Sequence, residues 1–235
     1  MENRMTLDVF IGYDGFAEPV AYHVCCDSII RHASCPIVFH PLALNMFPEY
    51  REKHGDGSNA FTYSRFLVPY LMGYKGQALF LDGDMIVRDD VAKLFVKDSY
   101  NAVSVVKHAY KTRYPIKYMG QKNEDYPRKN WSSVMLFNCW SSFCHRLTPQ
   151  YVAEQSGEHL HRFQWVTDDR IGDLPPEWNR LVLEDEVKPD DKLLHYTIGT
   201  PCFSDFRYTD DAEYWHEAAK KALSCKELSW KTIKT

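Results

Sequence analysis

The sequence predicts an α/β fold in which a mostly parallel central sheet is flanked by helices. Strand and helix signals alternate as β-α-β-α-β over the first third of the chain. The third strand signal, residues 77–87, is apolar enough to be buried on both faces of a parallel sheet. The 235 residues contain no clear linker and no repeat, so we expect a single domain over residues 1–235.

Several of the predicted elements carry a local signal at one end. The first strand runs into the turn pair Asp14-Gly15. The first helix begins near Pro19, which the first turn of a helix accommodates, and Gly73 and Gly76 end the second helix. The predicted strands are residues 6–13, 36–44, 77–87, 101–106, 132–140 and 192–199, and the predicted helices are residues 18–34, 60–73, 147–163 and 210–224.

Composition and charge argue against several classes of protein. The net charge of −4 gives no support to a general nucleic-acid binder. The seven cysteines are odd in number and lack a C-x-x-C pair, which favours reduced thiols over a disulfide framework or a zinc site. The first residues lack the apolar stretch of a signal peptide, and no run reaches transmembrane length. We therefore expect a cytoplasmic protein without a transmembrane segment.

Two carboxylates, Asp82 and Asp84, follow the apolar run of the third strand. Carboxylate oxygens are ligands for hard divalent cations such as Mg²⁺ or Mn²⁺, and a rigid strand would fix their positions. An acidic turn after a strand is the plain alternative. His195 comes near the end of the last predicted strand and is a third candidate ligand, although a histidine there is more often structural.

A long polar stretch, residues 107–130, follows the fourth predicted strand and is rich in tyrosine and locally basic. Irregular segments of this length inside a domain are usually functional lids or binding loops. Residues 109–129 are therefore a candidate lid over an acceptor, with a solvated surface loop as the alternative.

The segments FTYSRFLVPYL and ALFLDGDMIVRDDVAKLF resemble the signature region of glycogenin-like glycosyltransferases, glycosyltransferase family 8 and its relatives. Four further segments follow the family's order: LDVFIGYD, SSVMLFN, TDDRIG and HYTIG. The resemblance implies the GT-A fold of nucleotide-diphospho-sugar transferases. It also implies a nucleotide-sugar donor, UDP-hexose by default, a carbohydrate or other hydroxyl acceptor, and a Mn²⁺ or Mg²⁺ ion on the donor diphosphate.

The resemblance assigns roles to ten residues. It implies a retaining hexosyl transfer in which Asp168 binds the transferred sugar and Asp169 lies beneath its anomeric carbon. Asp84 and His195 would ligate the metal, and Asp82 would contact both the metal and the ribose. The remaining donor-binding residues are Ile11, Tyr13 and Asp14 at the base, Arg65 at the sugar and diphosphate, and Gly199 at the diphosphate. Without the resemblance, Arg65 could equally be a helix arginine in a surface ion pair.

Two positions and one segment depart from the family pattern. Ser133 replaces a glycine, and Asp169 replaces a glutamine, which makes a covalent intermediate more plausible because a carboxylate is the better nucleophile. Residues 200–203, TPCF, replace a segment that begins Lys-Pro-Trp. The diphosphate then needs another cation, for which Lys107, Lys111 and Arg207 are the candidates.

Three other functions are compatible with parts of the sequence. A haloacid-dehalogenase-like phosphatase also uses Asp-x-Asp after an apolar strand, and residues 168–173 supply a later acidic motif. Against it, Ile86 stands where a hydroxyl or valine is usual, and the triplet lies on the third strand. A sugar-nucleotide pyrophosphorylase would need a Gly-rich loop that residues 12–20 lack. A catalytically silent carbohydrate-binding relative on the same fold is the third alternative.

Overall fold

A six-stranded sheet forms the centre of the computed structural model, which describes residues 6–95 and 100–224. The single-domain prediction also covers residues 1–5, 96–99 and 225–235, which lie outside the described residues. The strand order is β2-β1-β3-β6-β5-β7, and only β6 runs opposite to the other five strands. The strands are β1 (Leu7–Gly12), β2 (Ile37–Leu42), β3 (Gln77–Leu81), β5 (Val103–Val105), β6 (Val134–Asn138) and β7 (Ile171–Asp173). The predicted mostly parallel sheet is confirmed.

A second, three-stranded sheet begins shortly after the end of β3. It consists of β4 (Met85–Val87), β9 (Leu193–His195) and β8 (Arg180–Leu181), in that order. The prediction of one strand over residues 77–87 is therefore wrong. The chain leaves the central sheet after Leu81 and enters the second sheet at Met85. Both strands are buried, so the apolar run gives no sign of the break.

Five α-helices accompany the sheets in the described part of the chain. They are α1 (Pro19–His32), α2 (Val68–Leu71), α3 (Pro149–Glu154), α4 (Gly157–His161) and α5 (Ala212–Leu223). The helix predicted over residues 147–163 is interrupted, because Gln155 is extended and the Ser156 hydroxyl caps a new helix by accepting from the His159 amide. The helix predicted over residues 60–73 is mostly a 3₁₀ turn, Ser64–Leu67, leading into α2. Within the described ranges, none of the helices combines the length and hydrophobicity needed to cross a bilayer.

The core lies on both faces of the central sheet, as expected for parallel strands covered on two sides. Alternate residues of β1 and β3 point to opposite faces. On one face they pack with α1, in a cluster that contains Val9, Ile11, Cys25, Ile29, Leu79 and Leu81. On the other face they pack with the aromatic residues of later segments, in a cluster that contains Phe10, Phe66, Phe80, Phe137 and Trp165. The end of β3 is thus held rigidly on both sides.

Candidate functional site

The junction between the two sheets brings Asp82, Asp84 and His195 together. β4 pairs antiparallel with β9, and Met85 stands opposite His195 in the register. The Tyr196 amide donates to the Asp84 carbonyl at 3.0 Å, and the Asp82 amide donates to the Ser133 carbonyl at 3.0 Å. Backbone hydrogen bonds therefore fix Asp84 beside the end of β9 and Asp82 beside the start of β6. His195 lies next to both aspartates.

Gly83 allows the chain to turn at this junction. A Cβ atom at residue 83 would lie 2.4 Å from the carbonyl oxygen of Gly12, which is at the end of the neighbouring strand β1. Only glycine permits this approach without moving the backbone. The spacing of the two aspartates is thus set by the close contact of two strand ends.

The three side chains form a group that could hold a divalent cation. One ligand atom from each of Asp82, Asp84 and His195 lies within 4.8 Å of the other two. His195 Nε2 is 3.3 Å from Asp84 Oδ1 and 3.8 Å from Asp82 Oδ2. The Oδ1 atoms of both aspartates are buried and make no well-aligned hydrogen bond among the described residues, although Asp82 Oδ1 pairs with the Arg65 cation. Buried carboxylate oxygens beside an imidazole nitrogen suit a Mn²⁺ or Mg²⁺ ion.

Arg65 is buried against this group, so the alternative of a surface ion pair is wrong. Its guanidinium Nη1 lies 2.8 Å from Asp82 Oδ1 and donates to the Ser132 carbonyl at 3.0 Å. The cation also lies over the rings of Phe61 and Phe80, 5.4 Å and 5.1 Å from their centroids. Burial nevertheless raises the pKa of Asp82 to about 6, against the opposing charge of Arg65.

Asp84 behaves differently from Asp82 although both are buried. Burial alone would raise the pKa of Asp84, but the charge and hydrogen bond of a protonated His195, the charge of Lys117 and a backbone hydrogen bond together outweigh burial, and the pKa is lowered. The pKa values of the two acids of the triplet are thus shifted in opposite directions. Each would lose any bound proton on ligating a metal, because a ligating carboxylate is deprotonated.

A third carboxylate, Glu18, lies close to the site and was missed in the sequence. It immediately precedes α1, is buried, and its Oε2 accepts a hydrogen bond from the Thr200 hydroxyl at 2.8 Å. Burial, with the charges of Asp84, Asp14 and Asp82, raises the pKa of Glu18 to about 8. In the sequence Glu18 reads as an ordinary residue of a helix start, and only the fold shows that it faces other acids.

We expect the stability of the Glu18→Gln variant to fall less with rising pH than the stability of the wild type. The unfolded chain releases the Glu18 proton near pH 4.5, whereas the folded protein keeps it until about pH 8. Stability of the wild type therefore falls as the pH rises between these values and the loss is complete above them. Glutamine keeps an acceptor for Thr200 and does not ionise. Tm measured from about pH 5 to about pH 9, with a chelator present, should fall less in the variant; parallel profiles would contradict this assignment.

A cavity of about 370 Å³ opens in front of the Asp82, Asp84 and His195 group. Arg65 also lines it, so four of the ten predicted site residues share one cavity. Lys117 lines the same cavity and donates to the Thr197 hydroxyl at 3.4 Å. Burial lowers the pKa of Lys117, although Asp84 and Asp82 oppose this effect. Lys117 is therefore a basic side chain that lines the same cavity as the candidate metal group.

The three cations proposed as replacements for the missing lysine are not among the residues that line this cavity. Lys107 instead donates to the Ile171 carbonyl at 2.9 Å and pairs with Asp173 at 3.1 Å. Lys111 and Arg207 are exposed. Lys117 was overlooked because its segment, residues 107–130, contains several basic residues and nothing in the sequence distinguishes the one that points inward.

The predicted lid, residues 109–129, contributes one wall of the cavity. Lys117, Tyr118, Gln121 and Tyr126 line it. The Gln121 amide and the Tyr118 hydroxyl tie the segment to Ser58, another lining residue, by donating to its carbonyl at 2.8 Å and 3.4 Å. Its role as an acceptor lid stays a prediction.

Four residues predicted to bind the donor lie outside the cavity lining. Ile11 is fully buried in the core, and the half-buried Tyr13 packs edge-on against the ring of Tyr22. Asp14 accepts from three backbone amides, those of Phe16, Ala17 and Ala60, at 3.0, 2.9 and 3.1 Å. A Cβ atom at Gly199 would lie 2.6 Å from the Phe206 ring, so this glycine serves the packing of that ring. Their donor-binding roles stay predictions.

The two predicted catalytic acids also lie outside the cavity lining. Asp168 is 79% exposed and pairs with Arg128 at 2.7 Å. Asp169 is 62% exposed, accepts from the Tyr100 hydroxyl at 3.1 Å, and lies 3.4 Å from Arg170 Nε. Arg128 also donates to the carbonyl of Arg162, a cavity-lining residue, at 2.9 Å. Asp168 is thus connected to the rim of the cavity through Arg128.

The architecture is that of GT-A glycosyltransferases. The galactosyltransferase LgtC, solved in complex with donor and acceptor sugar analogs, matches with a TM-score of 0.59 at 15% identity over 96% of this chain and 99% of its own. GlyE of Streptococcus pneumoniae matches with a TM-score of 0.59 at 16% identity, over 97% of this chain and 62% of its own. Mouse xyloside xylosyltransferase 1 matches with a TM-score of 0.52 at 13% identity, over 83% of this chain and 99% of its own. The predicted GT-A fold is confirmed.

One relative is close enough in sequence to define the family. Protein CDI of Arabidopsis thaliana is 37% identical over 218 residues, which cover 88% of this chain and 83% of that protein. The chain belongs to the Protein CDI family. No family model matches it.

Proposed function

We propose that this protein is a metal-dependent glycosyltransferase that moves a hexose from a nucleotide-sugar donor to a hydroxyl acceptor. The observation that carries the proposal is the buried group of Asp82, Asp84 and His195 at the end of β3, facing a cavity on a GT-A fold. UDP-hexose is the donor proposed, Mn²⁺ or Mg²⁺ the metal, and membership of glycosyltransferase family 8 the wider relationship. The cytoplasmic location stays part of this proposal.

Different residues of the cavity would bind the metal and the diphosphate of the donor. Asp82, Asp84 and His195 would hold the cation, which when bound supplies Lewis-acid neutralisation of the departing nucleoside diphosphate. Arg65 orients Asp82 and contributes positive charge beside the diphosphate. Lys117, from the predicted lid, supplies the ammonium that the family's late lysine would otherwise provide. Preorganised charges of this kind stabilise a leaving group without reorganising during the reaction.

Asp168 and Asp169 are proposed as the carboxylates that stabilise the oxocarbenium-like sugar in a retaining transfer. Both residues lie outside the cavity lining. We expect Asp168→Asn and Asp169→Asn to lower kcat by at least about 100-fold, as loss of charge stabilisation in a transition state does. Donor affinity should change less than about threefold. Turnover by both variants at the wild-type rate would remove these two residues from the mechanism.

The proposed function is tested directly by a thermal-shift screen of nucleotide sugars. A cognate donor at 100 times its Kd stabilises the folded state by about 2.7 kcal/mol, which raises Tm by several degrees. The shift should require Mn²⁺ or Mg²⁺ and vanish with a chelator. A metal-dependent shift without donor hydrolysis or transfer would favour the catalytically silent carbohydrate-binding relative. No shift with any nucleotide sugar would contradict the proposal.

The phosphatase alternative has less support than it had from the sequence. In such phosphatases the Asp-x-Asp motif lies on the first strand of their own fold. Here Asp82 follows the third strand of a GT-A fold. The later acidic motif of residues 168–173 supplies no ligand to the metal group, because Asp168 and Asp169 are exposed and paired with arginines.

A further inference from the structure

A chain of hydrogen bonds links the Nδ1 atom of His195 to Ser133, the residue that replaces a glycine of the family pattern. His195 Nδ1 lies 3.1 Å from Asn179 Oδ1, and Asn179 Nδ2 donates to Ser133 Oγ at 2.8 Å. Ser133 Oγ donates to the Asn130 carbonyl at 2.7 Å. His195, Asn179 and Ser133 are each 1% exposed or less. Water therefore does not substitute for any link of this chain.

The direction of each hydrogen bond follows from the Asn130 carbonyl, which can only accept. Ser133 donates to it, so the Ser133 oxygen has lone pairs left for the Asn179 amide. The Asn179 Nδ2 atom also lies 3.5 Å from the same carbonyl, which disfavours the flipped amide with its oxygen there. Asn179 thus presents its own oxygen to His195, and the Nδ1 atom must carry the proton.

In the neutral Nδ1–H ring the lone pair is on Nε2, the nitrogen that lies 3.3 Å from Asp84 Oδ1 and 3.8 Å from Asp82 Oδ2. A histidine ligates a metal through an unprotonated ring nitrogen, and the hydrogen bond made by the other nitrogen selects it. Without a fixed acceptor at Nδ1, the carboxylates beside Nε2 are the acceptors that remain, and they draw the proton to Nε2. A proton on Nε2 would then point into the metal group and block it.

We propose that Ser133 and Asn179 are positioning residues that hold His195 in the Nδ1–H tautomer, so that its Nε2 atom is always ready to bind the metal. The inference rests on the proposed metal-binding function. It gives the serine at position 133 a purpose in this chain: the hydroxyl anchors the amide that orients the histidine. A glycine at this position has no side chain to do so.

The test uses protein labelled with ¹⁵N-histidine and measures the His195 tautomer by NMR without metal, at a fixed pH near neutrality. Mn²⁺ affinity is measured separately by electron paramagnetic resonance, without donor. Asn179→Leu removes the acceptor at Nδ1, and Ser133→Ala removes the anchor of the amide. Asn179→Asp keeps an acceptor for Nδ1. Ser28→Ala is the control, because it removes another buried hydroxyl, bonded to the Cys25 carbonyl and the Val87 amide.

We expect the wild type, Asn179→Asp and the control to show the Nδ1–H tautomer and similar Mn²⁺ affinity. Asn179→Leu should show proton density on Nε2 and bind Mn²⁺ about 10- to 100-fold more weakly, the usual cost of losing an outer partner of a ligating histidine. Ser133→Ala should change both readouts in the same direction and carries the test if Asn179→Leu does not fold.

Two results would overturn the inference: an Nε2–H tautomer in the wild type, or unchanged tautomer and affinity in both Asn179→Leu and Ser133→Ala. Failure of the proposed function looks different. A wild type that binds no Mn²⁺, but whose tautomer changes in these variants, would keep the hydrogen-bond chain as the device that sets the tautomer and remove the metal.

Discussion

The Asp84→Asn variant is expected to lose metal-dependent donor binding by more than about 100-fold while keeping its fold. Asp84 supplies one of only three protein ligands in the candidate metal group, and its Oδ1 atom has no hydrogen-bond partner among the described residues. Even the loss of an outer partner of a metal ligand costs about 10- to 100-fold in affinity. Replacing a charged ligand with a neutral amide should cost more.

The fold should survive this change because residue 84 contacts the neighbouring strand through its backbone. The Asp84 carbonyl accepts from the Tyr196 amide, and asparagine leaves this hydrogen bond in place. The side chain that replaces the carboxylate has nearly the same volume, so the core between β3 and β4 is not disturbed. Circular dichroism and Tm should therefore stay close to those of the wild type.

Isothermal titration with UDP-hexose, with and without Mn²⁺, measures the effect. The matched control is Asp89→Asn, which removes an acid from the same stretch of sequence. Asp89 pairs with Lys93 at 2.7 Å and does not line the cavity. The control should bind donor as the wild type does. Equal Mn²⁺-dependent affinity in Asp84→Asn and the wild type would remove Asp84 from the metal site.

The sequence was sufficient for the parts of this site that depend on strand ends. Asp82 and Asp84 follow an apolar strand, and the carboxyl ends of β1 and β3 meet because the two strands are parallel, with Ile11 opposite Leu81. His195 was a candidate ligand because it comes near the end of the last predicted strand, but its proximity to the aspartates depends on the pairing of β4 with β9, which the sequence does not show. The break at Gly83 was invisible, because two buried strands in different sheets have the same apolar pattern as one.

The residues that sequence reasoning missed are those whose role depends on where a loop or a helix start comes to lie. Glu18 and Lys117 are ordinary charged residues in their local context, and only burial near Asp82 and Asp84 makes them unusual. Asn179 precedes a two-residue strand and has no local signal of its own. Their contributions arise from long-range contacts, which neither periodicity nor motif spacing encodes.

Lys117 is the residue for which we expect opposite effects on donor binding and on stability. The Lys117→Met variant should bind the nucleotide-sugar donor about 10- to 150-fold more weakly, because a hydrogen bond to a charged group contributes about 1.5–3 kcal/mol. The same variant should show an unchanged or higher Tm without ligand. No ordinary destabilising mutation produces this pair of results.

The expected stability follows from the sign of the Lys117 pKa shift. Burial lowers the pKa of this ammonium by more than the nearby carboxylates raise it, so the folded protein binds the proton less tightly than the unfolded chain. The charged lysine therefore costs stability at neutral pH, and this cost is relieved only as the pH rises toward the ordinary lysine pKa. Methionine has a similar length and flexibility and carries no charge to desolvate.

Lys111→Met is the matched control, since Lys111 is an exposed lysine of the same loop and does not line the cavity. It should leave both donor affinity and Tm unchanged. Donor affinity measured with Mn²⁺ separates the outcomes. A Lys117→Met variant that binds donor as tightly as the wild type would show that the diphosphate charge is met by Arg65 and the metal alone. A variant with a lower Tm and weaker donor binding would instead show that Lys117 has a structural role in the lid.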